Sequence, residues 1–249
     1  MAITTLVSGV PGKLATAVAR GLRQAPDIEL VAVHNPSRAG EWEGVPYVDE
    51  AVEVDVIVEA APTGPVMDNL ARWRRTGAAV VVGTSGFTRE RIDEVRRLWE
   101  GAEKACLIVP NFSIGAVLMM RFAELAAPHF ATVEIVERHS ERKPDAPSGT
   151  ALQTAARVAA AGGRSQPKSE ELVAGALGGD VEGVHVHSLR LAGLLSHQEV
   201  AFTNSGEQFS IVHQSTSYDS FAAGAVAAVR AVVDMQGVAV GLDDVLGLK

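Results

Sequence analysis

The side chains best suited to chemistry lie in one stretch, Glu134-Ile135-Val136-Glu137-Arg138-His139-Ser140-Glu141-Arg142-Lys143-Pro144-Asp145-Ala146-Pro147-Ser148-Gly149-Thr150. A strand reading over Val133–His139 delivers His139 at its end. Lys143 follows on a loop, and Pro147 stiffens the approach to a helix that Ser148-Gly149-Thr150 opens. Histidine is the residue type that titrates nearest neutrality, so His139 can donate a proton. Ser148 or Thr150 can cap the helix, and the small Gly149 lets an anion come close to free N–H groups. A cation beside a helix N-terminus is a ready carboxylate site. The same residues also fit an ordinary strand–loop–helix with a capped N-terminus and a surface His and Lys.

A second candidate is the turn Gly9-Val10-Pro11-Gly12-Lys13-Leu14-Ala15, which follows the first strand and opens the first helix. Gly9 suits a tight turn, Gly12 a close backbone approach, and Ala15 the packing of helix on strand. The free N–H groups then face a pyrophosphate. The spacing is G-x-x-G-x-x-A rather than G-x-G-x-x-G, and a Gly-rich strand-to-helix turn can also be only a turn. Where NAD-binding folds place an acid, the second strand ends His34-Asn35-Pro36-Ser37-Arg38. Asn35 is neutral, and Ser37, Arg38 and Lys13 suit a 2′-phosphate. This leans toward NADPH over NADH, although Arg38 also reads as a solvated surface arginine.

The elements that must position these residues alternate in the first hundred positions. Strands are expected over Ile3–Ser8, Glu29–His34, Val54–Ala60, Ala78–Gly83 and Cys106–Val109, and helices over Lys13–Arg23, Val66–Thr76 and Arg89–Glu100. The alternation predicts a parallel, doubly wound α/β sheet. The pattern then changes. Helices are expected over Ile114–Ala127, Thr150–Ala161 and Ser220–Asp234. The intervening strands His185–Ala192, Glu199–Thr203 and Gln208–His213 suggest antiparallel pairing, with a hairpin turn at Asn204-Ser205-Gly206. The second half is therefore expected to be an α+β sheet domain, with the last helix returning to the first.

Composition agrees with this class. Apolar residues make up 47% of the 249 residues and aromatics only 5%, so Val, Ala, Leu and Ile build the core. The net charge of −8 argues against a general nucleic-acid partner. No apolar stretch is long enough to span a membrane and no signal-peptide pattern opens the chain, so a cytoplasmic protein is expected. Cys106 sits in an apolar run and reads as a buried hydrophobe. His185, His187 and His213 have no Cys or nearby acid to complete a ligand set, so no metal is expected.

His-x-x-x-Lys-x-Asp-Ala-Pro-Ser-Gly-Thr-Ala, from His139 to Ala151, resembles the signature of the dihydrodipicolinate reductase family. Gly83-Thr84-Ser85-Gly86-Phe87 is similar to that family's loop after the fourth strand, near the nicotinamide. Pro110-Asn111-Phe112-Ser113-Ile114-Gly115 is similar to its domain hinge. Arg190-Leu191-Ala192-Gly193 and His197-Gln198-Glu199-Val200 are similar to its late sheet motif. The resemblance covers nearly the whole chain, and the short length is similar to that of actinobacterial members.

The resemblance implies an NAD(P)H-dependent reductase of a small cyclic imine dicarboxylate, 4-hydroxy-tetrahydrodipicolinate, in lysine and diaminopimelate biosynthesis. His139 would be the proton donor and Lys143 would hold or polarise the substrate. Ser140, Ser148, Gly149 and Thr150 would surround the ligand. Gly9, Val10, Pro11, Gly12, Lys13 and Leu14, with Asn35, Ser37 and Arg38, would hold the phosphates and adenosine of the cofactor. Gly83, Thr84, Ser85, Pro110, Asn111 and Phe112 would also bind the cofactor, with Gly83 and Ser85 facing its nicotinamide side. The implied organisation is a Rossmann-type domain of residues 1–110 plus 221–249, a substrate and oligomerisation domain of residues 111–220, and a homotetramer. The sequence departs from the family at Ser140, where a second His is usual, and at Glu59-Ala60-Ala61, where Asp-Phe-Thr is usual. These departures keep open a paralogue acting on another cyclic imine. A dinucleotide-binding sensor is the non-catalytic alternative, against which His139 and Lys143 both argue.

Overall fold

The computed structural model describes residues 1–50 and 52–248; Ala51 and Lys249, which fall in the ranges expected for the first domain, lie outside the described residues. The chain divides into two compact units, Met1–Ile114 with Tyr218–Lys249, and Gly115–Ser217. The first unit opens with β1 (Ile3–Ser8), α1 (Lys13–Gln24), β2 (Ile28–His34) and the short strands β3 (Glu41–Trp42) and β4 (Val45–Val48). It continues with β5 (Val56–Glu59), α2 (Val66–Arg74), β6 (Ala79–Val82), α3 (Arg89–Leu98) and β7 (Cys106–Ile108). The second unit holds nearly all of α4 (Ile114–Ala126), then β8 (Thr132–Ser140), α5 (Gly149–Ala160), β9 (Gly179–Val181), β10 (Val184–Leu191), β11 (Ser196–Asn204) and β12 (Glu207–Ser215). The chain ends in the first unit with α6 (Ala222–Val232) and β13 (Val238–Val240).

The first unit is a doubly wound sheet in the order β13-β7-β6-β5-β1-β2-β4-β3, parallel throughout except for the β3–β4 pair. β5 and β6 are buried at every residue, which is why they read as continuous apolar runs rather than as alternating ones. Helix α1 buries Ala15, Ala17, Val18, Ala19, Gly21 and Leu22 along one face. A Cβ on Gly21 would sit 2.5 Å from that of Ala222, so glycine here lets α6 lie close on α1. β1 is flanked by β2 on one side and β5 on the other. The direction of sheet growth reverses there, and ligands of such folds sit outside the carboxyl ends of the strands at that point.

The second unit is a mixed sheet in the order β12-β11-β8-β10-β9. The expectation of antiparallel pairing is corrected at its centre, where β8 and β10 run parallel. Helix α5 and β9 lie between them in the chain; β9 pairs antiparallel with β10 through a tight turn at Glu182-Gly183, which reverses the chain so that β10 runs in the direction of β8. β11 and β12 form an antiparallel hairpin turning at Ser205-Gly206. Along β8 the burial alternates, with Val133, Ile135 and Glu137 buried. Period-two geometry places His139 on the same face as Glu137. Among the described residues no helix is long and apolar enough to cross a membrane.

Candidate active site

The glycine turn stands at the carboxyl end of β1, beside the ends of β2 and β5. Gly9 adopts φ +102, and its N–H donates to the carbonyl of His34 (3.0 Å). A Cβ on Gly9 would lie 2.6 Å from the Ala60 carbonyl oxygen, and one on Gly12 would lie 2.9 Å from that of Gly9. Both glycines are therefore required by the turn's own tightness. No side chain caps α1, its first turn carries no acid, and Gly12 and Lys13 are exposed. Uncapped N–H groups with an adjacent exposed lysine fit a pyrophosphate. Asn35 ties this turn to the end of β2. Its amide donates to the Val10 carbonyl (2.8 Å), while its side-chain oxygen accepts from the Ser37 N–H (3.0 Å). Ser37 and Arg38 are exposed beyond it.

The departure at Glu59 has a structural basis. Its carboxylate is fully buried and accepts from the Trp73 indole N–H (2.7 Å), the Asn69 amide (3.2 Å) and the Ala61 N–H (2.9 Å). Burial raises its pKa against the opposing pull of these bonds. The Thr84 hydroxyl donates to the carbonyl of Ala61 (2.8 Å), so the Ala60–Ala61 backbone is gripped from two sides. Gly83 is buried against Phe112, whose ring occupies the space a Cβ would need. Phe112 thus backs the Gly83 loop from the interior, while Ser85, Pro110 and the partly exposed Asn111 lie nearer solvent. Cys106 is buried, and burial pushes its thiol pKa up, away from any nucleophilic use.

In the second unit Ser148 is the helix cap, its hydroxyl accepting from the Ala151 N–H (3.2 Å). A Cβ on Gly149 would meet open space, so the helix start is accessible there. Lys143 reaches both carboxylate oxygens of Asp145 (2.8 Å each). Ser140 ends β8 and is partly exposed. Its hydroxyl accepts from the Arg142 N–H (3.3 Å) and donates to Glu141 (3.3 Å), closing its own turn.

Neither Glu137 nor Arg190 was expected at the site. Glu137 has no exposed surface, yet it carries a dense set of bonds. It pairs with His139 Nδ1 (2.5 Å), accepts two bonds from Arg190 (3.0 and 2.9 Å) and accepts the Ser148 N–H (3.2 Å). Burial acts to raise its pKa, but the bonds from His139 and Arg190 outweigh this and hold it down to about 2. The i, i+2 spacing to His139 was a readable signal for Glu137. Arg190 stands opposite His139 in the β8–β10 register, which the sequence alone does not reveal.

A carboxyl depressed below its ordinary value of 4.5 adds stability that is present above that pH and lost as pH falls toward about 2. The contribution at neutral pH is about 3 kcal/mol. Urea unfolding of the parent should lose that much more stability between those two pH values than unfolding of Glu137→Gln. Parallel acid limbs in the two proteins would contradict the assignment.

A switch-point glycine turn joined to a second sheet unit bearing a His–Lys–helix-start cluster defines a dinucleotide-binding protein of the two-unit reductase class. Residues 3–112 match the model of the dihydrodipicolinate reductase N-terminus and residues 115–246 that of its C-terminus. The chain belongs to the dihydrodipicolinate reductase family. It is 43% identical to the 4-hydroxy-tetrahydrodipicolinate reductase of Cutibacterium acnes over 253 residues, covering 99% of this chain and 100% of that protein. Identity to the same-named protein of Streptococcus pneumoniae is 40% over 255 residues, with the same coverage. The dipicolinate-bound dihydrodipicolinate reductase from Paenisporosarcina sp. TG-14 superposes with a TM-score of 0.85 at 31% identity, over 98% of this chain and 99% of that one.

Proposed function

We propose that this chain reduces 4-hydroxy-tetrahydrodipicolinate with NAD(P)H in lysine and diaminopimelate biosynthesis in the cytoplasm. The observation that carries the reading is the cluster of His139, Lys143 and the Ser148–Thr150 helix start in one unit, at positions that match the family signature. The reduced nicotinamide, when bound, supplies the hydride. Gly9, Val10, Pro11, Gly12, Lys13 and Leu14 hold the phosphates, while Gly83, Thr84, Ser85, Pro110 and Asn111 line the nicotinamide side. Ser148, Gly149 and Thr150 receive a substrate carboxylate at the N-terminus of α5. Lys143 exchanges Asp145 for the substrate and stabilises the electron density that reduction builds up. His139 delivers the proton that must follow. The test is oxidation of NAD(P)H with freshly generated 4-hydroxy-tetrahydrodipicolinate. Steady turnover is expected; no turnover with that substrate, alongside turnover of a different cyclic imine, would assign the chain to a paralogous reaction.

NADPH is the preferred cofactor in this reading. The end of β2 bears no carboxylate from His34 to Arg38, and Asn35 holds Val10 and Ser37. Arg38 and Ser37 then meet the 2′-phosphate. Replacing Arg38 with alanine should narrow the gap in affinity between NADPH and NADH by about 1 kcal/mol. Fluorescence titrations of both nucleotides measure it, and equal parent affinities would refute the preference.

A homotetramer is the expected assembly. Leu189, Leu191 and Val212 are exposed on the sheet face that bears Arg138 and His197, and such a face is covered when copies of the sheet pack together. Light scattering at working concentration should give a closed oligomer, and a stable monomer would remove this interface.

A further inference from the structure

Glu137 reaches three separate pieces of the site with one buried carboxylate. Oε2 takes Nδ1 of His139 and one Arg190 nitrogen, while Oε1 takes the other Arg190 nitrogen and the Ser148 N–H. Arg190 in turn donates to the backbone carbonyl of Asp145 (2.6 Å). Asp145 is the residue to which Lys143 is paired. The proton donor, the anion-receiving helix start and the loop carrying the lysine thus meet at a single group. We propose that Glu137 is the positioning residue of this site, holding the His139 ring, the N-terminus of α5 and, through Arg190, the Lys143 loop in one fixed arrangement. This rests on the reading of His139 as proton donor and of the α5 start as the carboxylate site.

The chemistry follows from what a carboxylate can do. An ionised carboxylate only accepts, so the His139 nitrogen facing it carries hydrogen. With Nδ1 committed, Nε2 is the nitrogen that meets the substrate, and the ring cannot flip to offer the other. Arg190 donates one nitrogen to each oxygen, which holds the carboxylate against rotation. The Ser148 N–H is one of the donors at the start of α5. Tying it to Glu137 sets the angle at which the remaining N–H groups point outward. A glutamine in place of Glu137 keeps the shape but sets its NH2 group against an Arg190 nitrogen in either orientation, and in one of them against the Ser148 N–H as well. The three attachments cannot then all survive.

The test compares Glu137→Gln, Glu137→Asp and His139→Gln, singly and with Glu137→Gln combined with His139→Gln. Glu137→Gln should lower kcat by more than tenfold and raise KM severalfold, with the dissociation constant for NADPH unchanged. Glu137→Asp, which retains the charge, should recover part of both. In the His139→Gln background, Glu137→Gln should cost little further kcat but still raise KM, because the loss through the ring has already been taken. Nitrogen NMR of the imidazole in the parent should show Nδ1 protonated in the neutral ring. A kcat and KM for Glu137→Gln within twofold of the parent would overturn the proposal. So would kcat losses that multiply fully in the double variant, since they mark a general structural role.

If the parent fails to turn over 4-hydroxy-tetrahydrodipicolinate, the proposed reaction fails on its own. The positioning claim is then read from calorimetric binding of dipicolinate and from the imidazole NMR. At least fivefold weaker dipicolinate binding in Glu137→Gln and loss of the Nδ1–H signature sustain it. Unchanged binding or an unchanged ring overturns it.

Discussion

His139→Gln lowers kcat by about two to four orders of magnitude and leaves NADPH affinity where it was. The residues that hold the dinucleotide in our reading belong to Met1–Ile114 and His139 is not among them, so a loss in kcat with NADPH affinity kept is the expected pattern. The imidazole is only 13% exposed and is held at Nδ1 by Glu137, which gives it one orientation in which to act. Lys143→Ala behaves differently. Its ammonium is paired with Asp145, and Lys143 is the first cause of the depressed Asp145 carboxyl. In our reading substrate replaces Asp145 at that ammonium, so removing it should damage both KM and kcat. Steady-state kinetics on the two variants separates these patterns. Unchanged turnover in both, with the substrate confirmed, would refute the catalytic assignment. Ser140→His bears on the substrate itself. If the family's second histidine is dispensable here, activity on 4-hydroxy-tetrahydrodipicolinate is kept or raised. If the pocket serves another imine, parent activity is poor and the change does not rescue it.

Local pattern carried the first unit a long way. Val56–Val58 and Ala79–Val82 announced buried parallel strands because both faces are covered, and the Gly9 turn announced itself by its place between strand and helix. The elements that pattern did not reveal are short or depend on direction. Glu41–Trp42 and Val238–Val240 are too brief to show a period, and they exist because a neighbouring strand offers them an edge. The parallel run of β8 and β10 follows from the connection through α5 and the β9–β10 hairpin, not from any residue in either strand. The site divides in the same way. His139, Lys143 and Ser148 are contiguous and could be read together. Glu137 was visible two positions before His139, but what makes it informative is Arg190, 53 residues later in the chain. Glu59 looked like a departure in isolation. Its meaning lies in Trp73, 14 residues on, whose indole N–H requires a buried acceptor.

Gly9→Ala should abolish useful dinucleotide binding while sparing the second unit. Alanine disfavours φ +102, which costs about 1–2 kcal/mol. The new methyl would also sit 2.6 Å from the Ala60 carbonyl oxygen and 2.7 Å from the Ala61 nitrogen. That peptide cannot retreat cheaply. Ala60 N–H donates to the Ser8 carbonyl (3.1 Å), Ala61 N–H is held by Glu59, and the Ala61 carbonyl is held by Thr84. Relief must instead move Gly9 itself, breaking its bond to His34 and swinging the Val10 carbonyl away from Asn35. Strain and overpacking together should cost about 3 kcal/mol, read as a lower unfolding midpoint of the first unit. NADPH affinity should fall by about a hundredfold or more, because the displaced turn no longer presents its N–H groups to the pyrophosphate. Gly77→Ala is the control. Gly77 also has a positive φ, +77, but a Cβ there meets nothing within 4 Å, so only the backbone term of about 1 kcal/mol applies. Its NADPH affinity should match the parent, and dipicolinate binding should be unaffected in both variants. Equal losses of nucleotide affinity in the two would mean that backbone strain, and not the grip of Glu59 and Thr84 on the Ala60–Ala61 peptide, governs the turn.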